Sequence, residues 1–415
     1  MRRPHPLTHL TTAMTKHIKT ELKTYESELI SLRQDLHQHP ETGFEEHRTA
    51  KIIAEKLTSW GLEVHTGVGI TGVVGVLRGR YPGTQAIGLR ADMDALNMTE
   101  TGDLPYRSVY EGKMHGCGHD GHSTMLLGAA KYLSRHPDFA GTVNFIFQPA
   151  EEGLGGASAM IDDGLFERFP CDSVYGMHNR SGIPVGHFGT LPGAAMSASD
   201  TWSTTFSGTG GHGGSMAHLA TDLTITLAHF IQGIQTIISR NVPGIEPAVL
   251  SIGHISGGNA KSPSVMPASM FVTGTARSFS PAVRDTLERR LEELAKTCAA
   301  LTGCQSTSTY SRGYPPLVNQ PAHTARAVAA ARAVAGDAQV NANQKPSTGA
   351  EDFAVMLEKR PGAYVWLGNG FASDGSVRPV HTPNYDFNDD ALLFGAEYWV
   401  QLVHGCLGES AAPAT

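Results

Sequence analysis

Cysteine is scarce in this chain. The five residues Cys117, Cys171, Cys298, Cys304 and Cys406 are odd in number and widely scattered. That spacing excludes a disulfide framework and points to a reducing, cytoplasmic setting. Four of them read as small buried hydrophobes; Cys117 is set apart by its neighbours. Basic charge is also short, with 32 Lys and Arg against 39 Asp and Glu and a formal net charge of −7. A nucleic-acid binder would carry the opposite imbalance. There is no unbroken apolar run of the length of about 18 residues that a membrane-spanning helix needs. The opening "MRRPHPLTHLTTAMTK" lacks the continuous apolar stretch of a secretory signal. It reads as a disordered extension over residues 1–20, with Met14 as an alternative start.

What remains is a chain built to pack. It has 415 residues, 40% of them hydrophobic and 17% charged, enough for two cored domains. Helical spacing runs over 22–39 and 45–60, with Gly61 as the stop. Short apolar runs then alternate with helical ones. "TGVVGVLRG" and "AIGLRADMDAL" read as strands and 122–133 as a helix. "TVNFIFQPAEEG" reads as a strand, 155–168 as a helix and "SVYGMH" as a strand. This predicts an α/β domain with a mixed, partly parallel central sheet flanked by helices. Between 196 and 311 the pattern changes to strand, helix, two strands, helix and strand, which suits a ferredoxin-like α+β domain. The α/β pattern resumes afterwards, so the smaller domain is inserted, leaving 21–195 and 312–415 as the larger one. No internal repeat or low-complexity segment is visible.

The chemistry collects at strand ends, where open α/β sheets bind their ligands. Asp92 and Asp94 follow "AIGLR", Glu151 and Glu152 follow "TVNFIFQPA", and His178 ends "SVYGMH". "HGCGHDGH" at 115–122 opens a helix, and a late loop "VHTPNYDFND" carries His381. Singly, adjacent glutamates usually form a solvated face, and a lone histidine is usually a satisfied core or surface residue. Together, thiolate, imidazole and carboxylate donors suit a zinc-like divalent ion. Cys117 and His119 are separated only by Gly118, which permits a tight, unusual backbone. With Glu152, His178 and His381 as further donors, Glu151 stays free as a base. Asp92 and Asp94 are read as orienting His119 or His178 through the other ring nitrogen.

These residues carry a resemblance. From about residue 25 to 400 the chain resembles the aminoacylase/carboxypeptidase group of di-metal peptidases. Within it, the likeness is to the amidohydrolase branch of hippurate hydrolase and the auxin–amino acid conjugate hydrolases. The motifs are "RQDLHQHPETGFEE", "GLRADMDAL", "HGCGHDGHSTMLLGAA", "FQPAEEG", "GMHN", "LPGAAMSASD", "GTGGHGG", "SRNV", "GTARSF", "GAEDFAVM" and "HTPNYDFND". The resemblance implies two divalent metal ions (zinc, manganese, cobalt or nickel) held by Cys117, His119, Glu152, His178 and His381. It implies Glu151 as general base and acid. It makes the inserted domain a lid, and often the interface of a homodimer, with His212 reaching toward the substrate carbonyl. It implies Arg277, Asn241 and Ser264 as substrate-binding positions. The sequence departs from the family near that substrate face. "GGHGGSMAH" has an extra glycine and Ala217 in place of proline, "SVMP" puts Ser264 where an asparagine is usual, and "STGAEDF" replaces "MGSEDF". The expected reaction is metal-dependent hydrolysis of an N-acyl amino acid with an aromatic or acetyl acyl group. The alternatives are a dipeptidase or carboxypeptidase using the same residues, or a non-catalytic ligand-binding relative.

Overall fold

The computed structural model describes residues 12–372 and 374–408. Of the extension expected over 1–20, residues 1–11 lie outside the described residues. Thr12–Lys23 is a helix, α1, not a disordered tail. Its Ile18 and Leu22 are fully buried in the main core. The chain divides into two compact units. The first takes the chain up to Gly193, then Val318–Lys345, then from Val355 onward; the second is Ala194–Leu317 with Pro346–Ala354. That last segment belongs to the second unit, although the sequence pattern assigned it to the first.

The first unit is α/β, as its alternating pattern predicts. Its eight strands are β1 (Glu63–Val68), β2 (Gly72–Arg78), β3 (Tyr81–Asp92), β4 (Ala140–Gln148), β5 (Ser173–Ser181), β6 (Phe188–Gly189), β7 (Val340–Asn341) and β8 (Gly362–Gly370). They form one sheet in the order β1-β2-β4-β3-β5-β8-β6-β7. The inner pairs β4/β3, β3/β5 and β5/β8 are parallel. The pairs β1/β2, β2/β4 and β8/β6 are antiparallel, so the sheet is mixed. Parallel strands covered on both faces should be apolar throughout, and every residue of β8 is buried.

Helices α2 (Glu26–Gln38), α3 (His47–Ser59) and α4 (His119–Arg135) join the helix Ala391–Leu407 around this sheet. Met125, Ala129 and Leu133 of α4 share one buried cluster with Ala396, Trp399 and Val403. The helix expected over 155–168 is two short ones, Gly156–Asp162 and Leu165–Arg168. Gly164, at φ +80°, breaks it between them. Cys117, Cys171 and Cys298 are buried, whereas Cys304 and Cys406 are only half-buried; all five are free thiols.

The second unit is an antiparallel sheet of Ala248–Gly257, Ser269–Ser278, Ala198–Ser207 and Gln305–Arg312, in that spatial order. Helices Leu223–Asn241 and Pro281–Thr302 complete the order βαββαβ. Asp222 and Ser280 cap the two helices by accepting backbone N–H groups of the first turn. Trp202, Phe230, Ile234, Leu287 and Leu291 lie in a core of its own.

Candidate metal centre

β3, β4 and β5 run parallel and end at the same edge, so Asp92, the turn after Gln148, and His178 are neighbours there. The loop before α4 supplies Cys117, and the first residue of α4 is His119. Between them Gly118 takes φ +94°. A Cβ at that position would stand 2.6 Å from both Asn179 Oδ1 and Tyr385 Oη. Only glycine meets both demands. Ala150 and His381, both non-glycine, also hold left-handed backbones, at φ +51° and +63°. Such conformations persist where the surroundings enforce them. Here Ala150 N–H donates to the buried Glu46 carboxylate at 2.8 Å, and His381 N–H donates to the Gly116 carbonyl at 2.7 Å.

The donors converge. The Cys117 Sγ lies 3.3 Å from His178 Nε2. Glu152 Oε1 lies 3.1 Å from His381 Nε2 and 4.0 Å from His119 Nε2. Three overlapping triads, Cys117–His119–His178, Cys117–Glu152–His381 and His119–Glu151–Glu152, each keep their donor atoms within 4.8 Å of one another. The imidazoles are pre-oriented. His119 Nδ1–H donates to the Asp94 carbonyl at 2.9 Å, with Asp94 Oδ1 at 3.2 Å. His178 Nδ1–H donates to the Asn179 carbonyl at 2.6 Å. Each hydrogen bond fixes the tautomer that leaves the Nε2 lone pair facing inward.

These groups fit a divalent cation and are poorly served without one. His119 Nε2 and Glu152 Oε1 are buried and lack hydrogen-bond partners, a costly state for polar atoms. Burial, reinforced by the Glu152 charge, pushes the Cys117 thiol well above its ordinary pKa. A bound cation would reverse that and hold it as thiolate. Burial and the nearby His122 keep His178 neutral, the form in which a histidine ligates.

Asp94 lies behind His119, and its Oδ2 also accepts the Glu152 backbone N–H at 3.0 Å. Asp92 differs. Its carboxylate accepts from His122 Nδ1 at 2.5 Å and from Arg90 at 2.6 Å, and it lies 3.8 Å from the inward nitrogen of His119 rather than the outward one. His122 accepts the Asn179 N–H on its other nitrogen, which saturates it. His115 is wholly buried and neutral, its pKa pushed down to about 4 by burial. Beneath the site, His37 bonds Asp120 at 2.9 Å and Glu100 at 3.3 Å. Burial alone would lower its pKa, but the two carboxylates prevail and raise it to about 9. Sequence reasoning assigned no role to His37, Asp120, His122 or Asn179, though all four sit inside the motifs that carried the resemblance.

The remaining predicted residues belong to the second unit. His212 is exposed and pairs with Val265, next to Ser264, in a two-stranded ribbon. Its Nδ1 accepts the Gly214 N–H at 3.1 Å. Arg277, on strand Ser269–Ser278, bonds Thr275 Oγ1 and the Ala276 carbonyl. Asn241 ends a helix, and its Oδ1 accepts from Arg290 at 3.1 Å.

Residues 88–405 match the profile of "Peptidase family M20/M25/M40". The chain belongs to that family. This M20 chain is 38% identical to a hippurate hydrolase of Campylobacter jejuni over 385 residues, covering 92% of this chain and 97% of that one. An aminohydrolase structure from methicillin-resistant Staphylococcus aureus superposes with a TM-score of 0.87 at 32% identity, covering 95% of this chain and all of that one. The structure of a dinuclear metal-binding M20 peptidase from Bacillus subtilis does so with a TM-score of 0.80 at 30% identity, covering 92% and 98%. The M20 chain described here is thus an amidohydrolase with a site suited to two divalent metal ions.

Proposed function

We propose that the protein hydrolyses the amide of N-acyl amino acids, with an aromatic or acetyl acyl group, to a carboxylic acid and a free amino acid. The observation that carries this is the convergence of Cys117, His119, Glu152, His178 and His381 donor atoms in overlapping triads, with His119 Nε2 and Glu152 Oε1 buried and without a hydrogen bond, beside the buried Glu151 carboxylate. The likeness to a hippurate hydrolase supports the substrate class. Cys117, His119, Glu152, His178 and His381 would hold the two ions, and their mixed S, N and O character suits zinc, cobalt, nickel or manganese. When bound, the ions supply Lewis acidity toward the amide carbonyl and acidify water.

The chain's own residues do the rest. Glu151, 8% exposed, takes a proton from the attacking water on its carboxylate and returns it to the leaving amine. Asp94 and the Asn179 carbonyl hold His119 and His178 in their ligating tautomers. His212 is assigned to stabilising the developing oxyanion. Arg277 is assigned to pairing with the substrate carboxylate through its planar fork, with Asn241 and Ser264 as further substrate contacts. The five free thiols support a cytoplasmic location. The outer strand Ala248–Gly257, whose last five residues are all exposed, supports a homodimer through the second unit.

The test is a panel of N-benzoyl, N-acetyl and dipeptide substrates, assayed with and without a chelator. Chelator-sensitive turnover led by N-acyl amino acids is expected. Preference for dipeptides would move the reading to the peptidase alternative, and chelator-resistant turnover would end it.

A further inference from the structure

A second cluster of metal-type donors lies away from the site above, where α1 meets the end of α4. His17 and Glu21 are four residues apart on α1 and so share one face. His136 is the C-cap residue of α4. His136 Nε2 lies 2.6 Å, and His17 Nε2 3.5 Å, from the same atom, Glu21 Oε2. The two imidazoles meet edge to face with centroids 5.3 Å apart, and the three donor atoms all lie within 4.8 Å of one another.

We propose that His17, Glu21 and His136 form a separate surface site for one zinc-class divalent ion that fastens α1 to the end of α4. Metal–nitrogen bonds of about 2.0–2.1 Å in a tetrahedron place donors about 3.3–3.4 Å apart. The His17–Glu21 separation is already close to that, and the His136–Glu21 contact must open by less than about 1 Å. The other carboxylate oxygen accepts from Tyr25 Oη at 2.5 Å, which orients Glu21 as outer hydrogen bonds orient metal ligands. Arg135 stands 3.9 Å from that same oxygen and sets a modest affinity. The side chains of His17 and His136 are 58% and 31% exposed, so an ion has an entry path and room for a water as fourth ligand. Two histidines and one carboxylate suit zinc, nickel or cobalt and do not suit calcium or magnesium.

The bland alternative is a histidine–carboxylate ion pair, which needs no metal. The full-length, metal-replete protein, its His17→Gln variant and its His136→Gln variant are titrated with zinc at pH 7.5. Bound metal is measured by elemental analysis and stability by thermal unfolding. The wild type should bind one equivalent more than either variant, or bind it at least tenfold more tightly, and only its midpoint should rise with added zinc. With cobalt, the extra equivalent should add visible d–d absorption without sulfur charge transfer, which separates it from any ion on Cys117. Hydrolysis before zinc addition should be equal in all three proteins. The exposure of His17 makes that variant safe to fold. Equal stoichiometry and equal midpoints, or an extra equivalent that persists in His17→Gln, would reduce the cluster to an ion pair. The outcome does not depend on which substrate the protein hydrolyses.

Discussion

Glu151→Gln replaces a carboxylate by an amide of nearly the same shape that cannot accept the water's proton. The variant should keep its metal and its melting temperature and lose about 10²–10⁴-fold in kcat. Metal analysis beside steady-state kinetics checks this, and a variant keeping more than a tenth of wild-type kcat would take the base role away from Glu151. Gly118 makes the complementary case, in which geometry rather than charge is at stake. An L-residue in its left-handed backbone costs about 1–2 kcal/mol. The added Cβ would also press on Asn179 and Tyr385, the pair that packs the site from behind. Gly118→Ala should therefore lower stability by about 2 kcal/mol or more and reduce metal content, read by chemical denaturation and elemental analysis. Wild-type stability and full metal would mean that this loop bends freely.

At the level of elements, the helix Ala391–Leu407 carries a buried acid. Glu397 is 4% exposed. Burial raises its pKa to about 7, against the opposing pull of Lys19 and a hydrogen bond from Gln401. A folded-state pKa above the unfolded one means the folded protein holds this proton more tightly. The associated stability is complete below the unfolded carboxyl value near 4.5 and drains away as pH rises to about 7. The slope is at most about 1.4 kcal/mol per pH unit. Glu397→Gln should flatten that decline, raising stability at pH 8 relative to wild type by up to about 3 kcal/mol more than at pH 4. Denaturation curves at the two pH values decide it, and an equal difference at both would show that Glu397 ionises freely. The elements around this helix differed in how legible they were. β3, β4, β5 and α4 announce themselves through long apolar runs and strand-end acids or histidines, and with them the convergence on one edge. α1 does not, because Ile18 and Leu22, the two fully buried core residues among its described side chains, supply too little periodicity. The contact of Asp92 with His122 was hidden for another reason. Sequence order places a carboxylate at a strand end but not its choice between two histidines three residues apart.

For the whole molecule, the four-stranded sheet of the second unit ends in two edge strands, Ala248–Gly257 and Gln305–Arg312, each paired on one side within that sheet; the last five residues of Ala248–Gly257 are all exposed. Exposed backbone donors and acceptors on such an edge invite a second copy. Ile255 is 42% exposed on this strand. If the proposed homodimer forms through this edge, Ile255→Lys should yield monomers, measured by light scattering, while each chain stays folded. A monomeric wild type would end the dimer reading, and a dimer indifferent to the charge would put the interface elsewhere.

The order of the large sheet has one more consequence, which belongs to the making of the protein. β8 is the last of its strands to be synthesised, yet it lies between β5 and β6. Until the ribosome has released Gly362–Gly370, β5 has no neighbour on one side, and β6 has no place in the sheet except through β7. The strand that carries His178 therefore waits, edge exposed, from the synthesis of Ser181 until that of Gly362–Gly370. Such an edge is the kind of surface that chaperones shield and that aggregates recruit. A premature stop before residue 362 would leave it open for good, turning a nearly full-length chain into a substrate for quality control rather than a weakened enzyme.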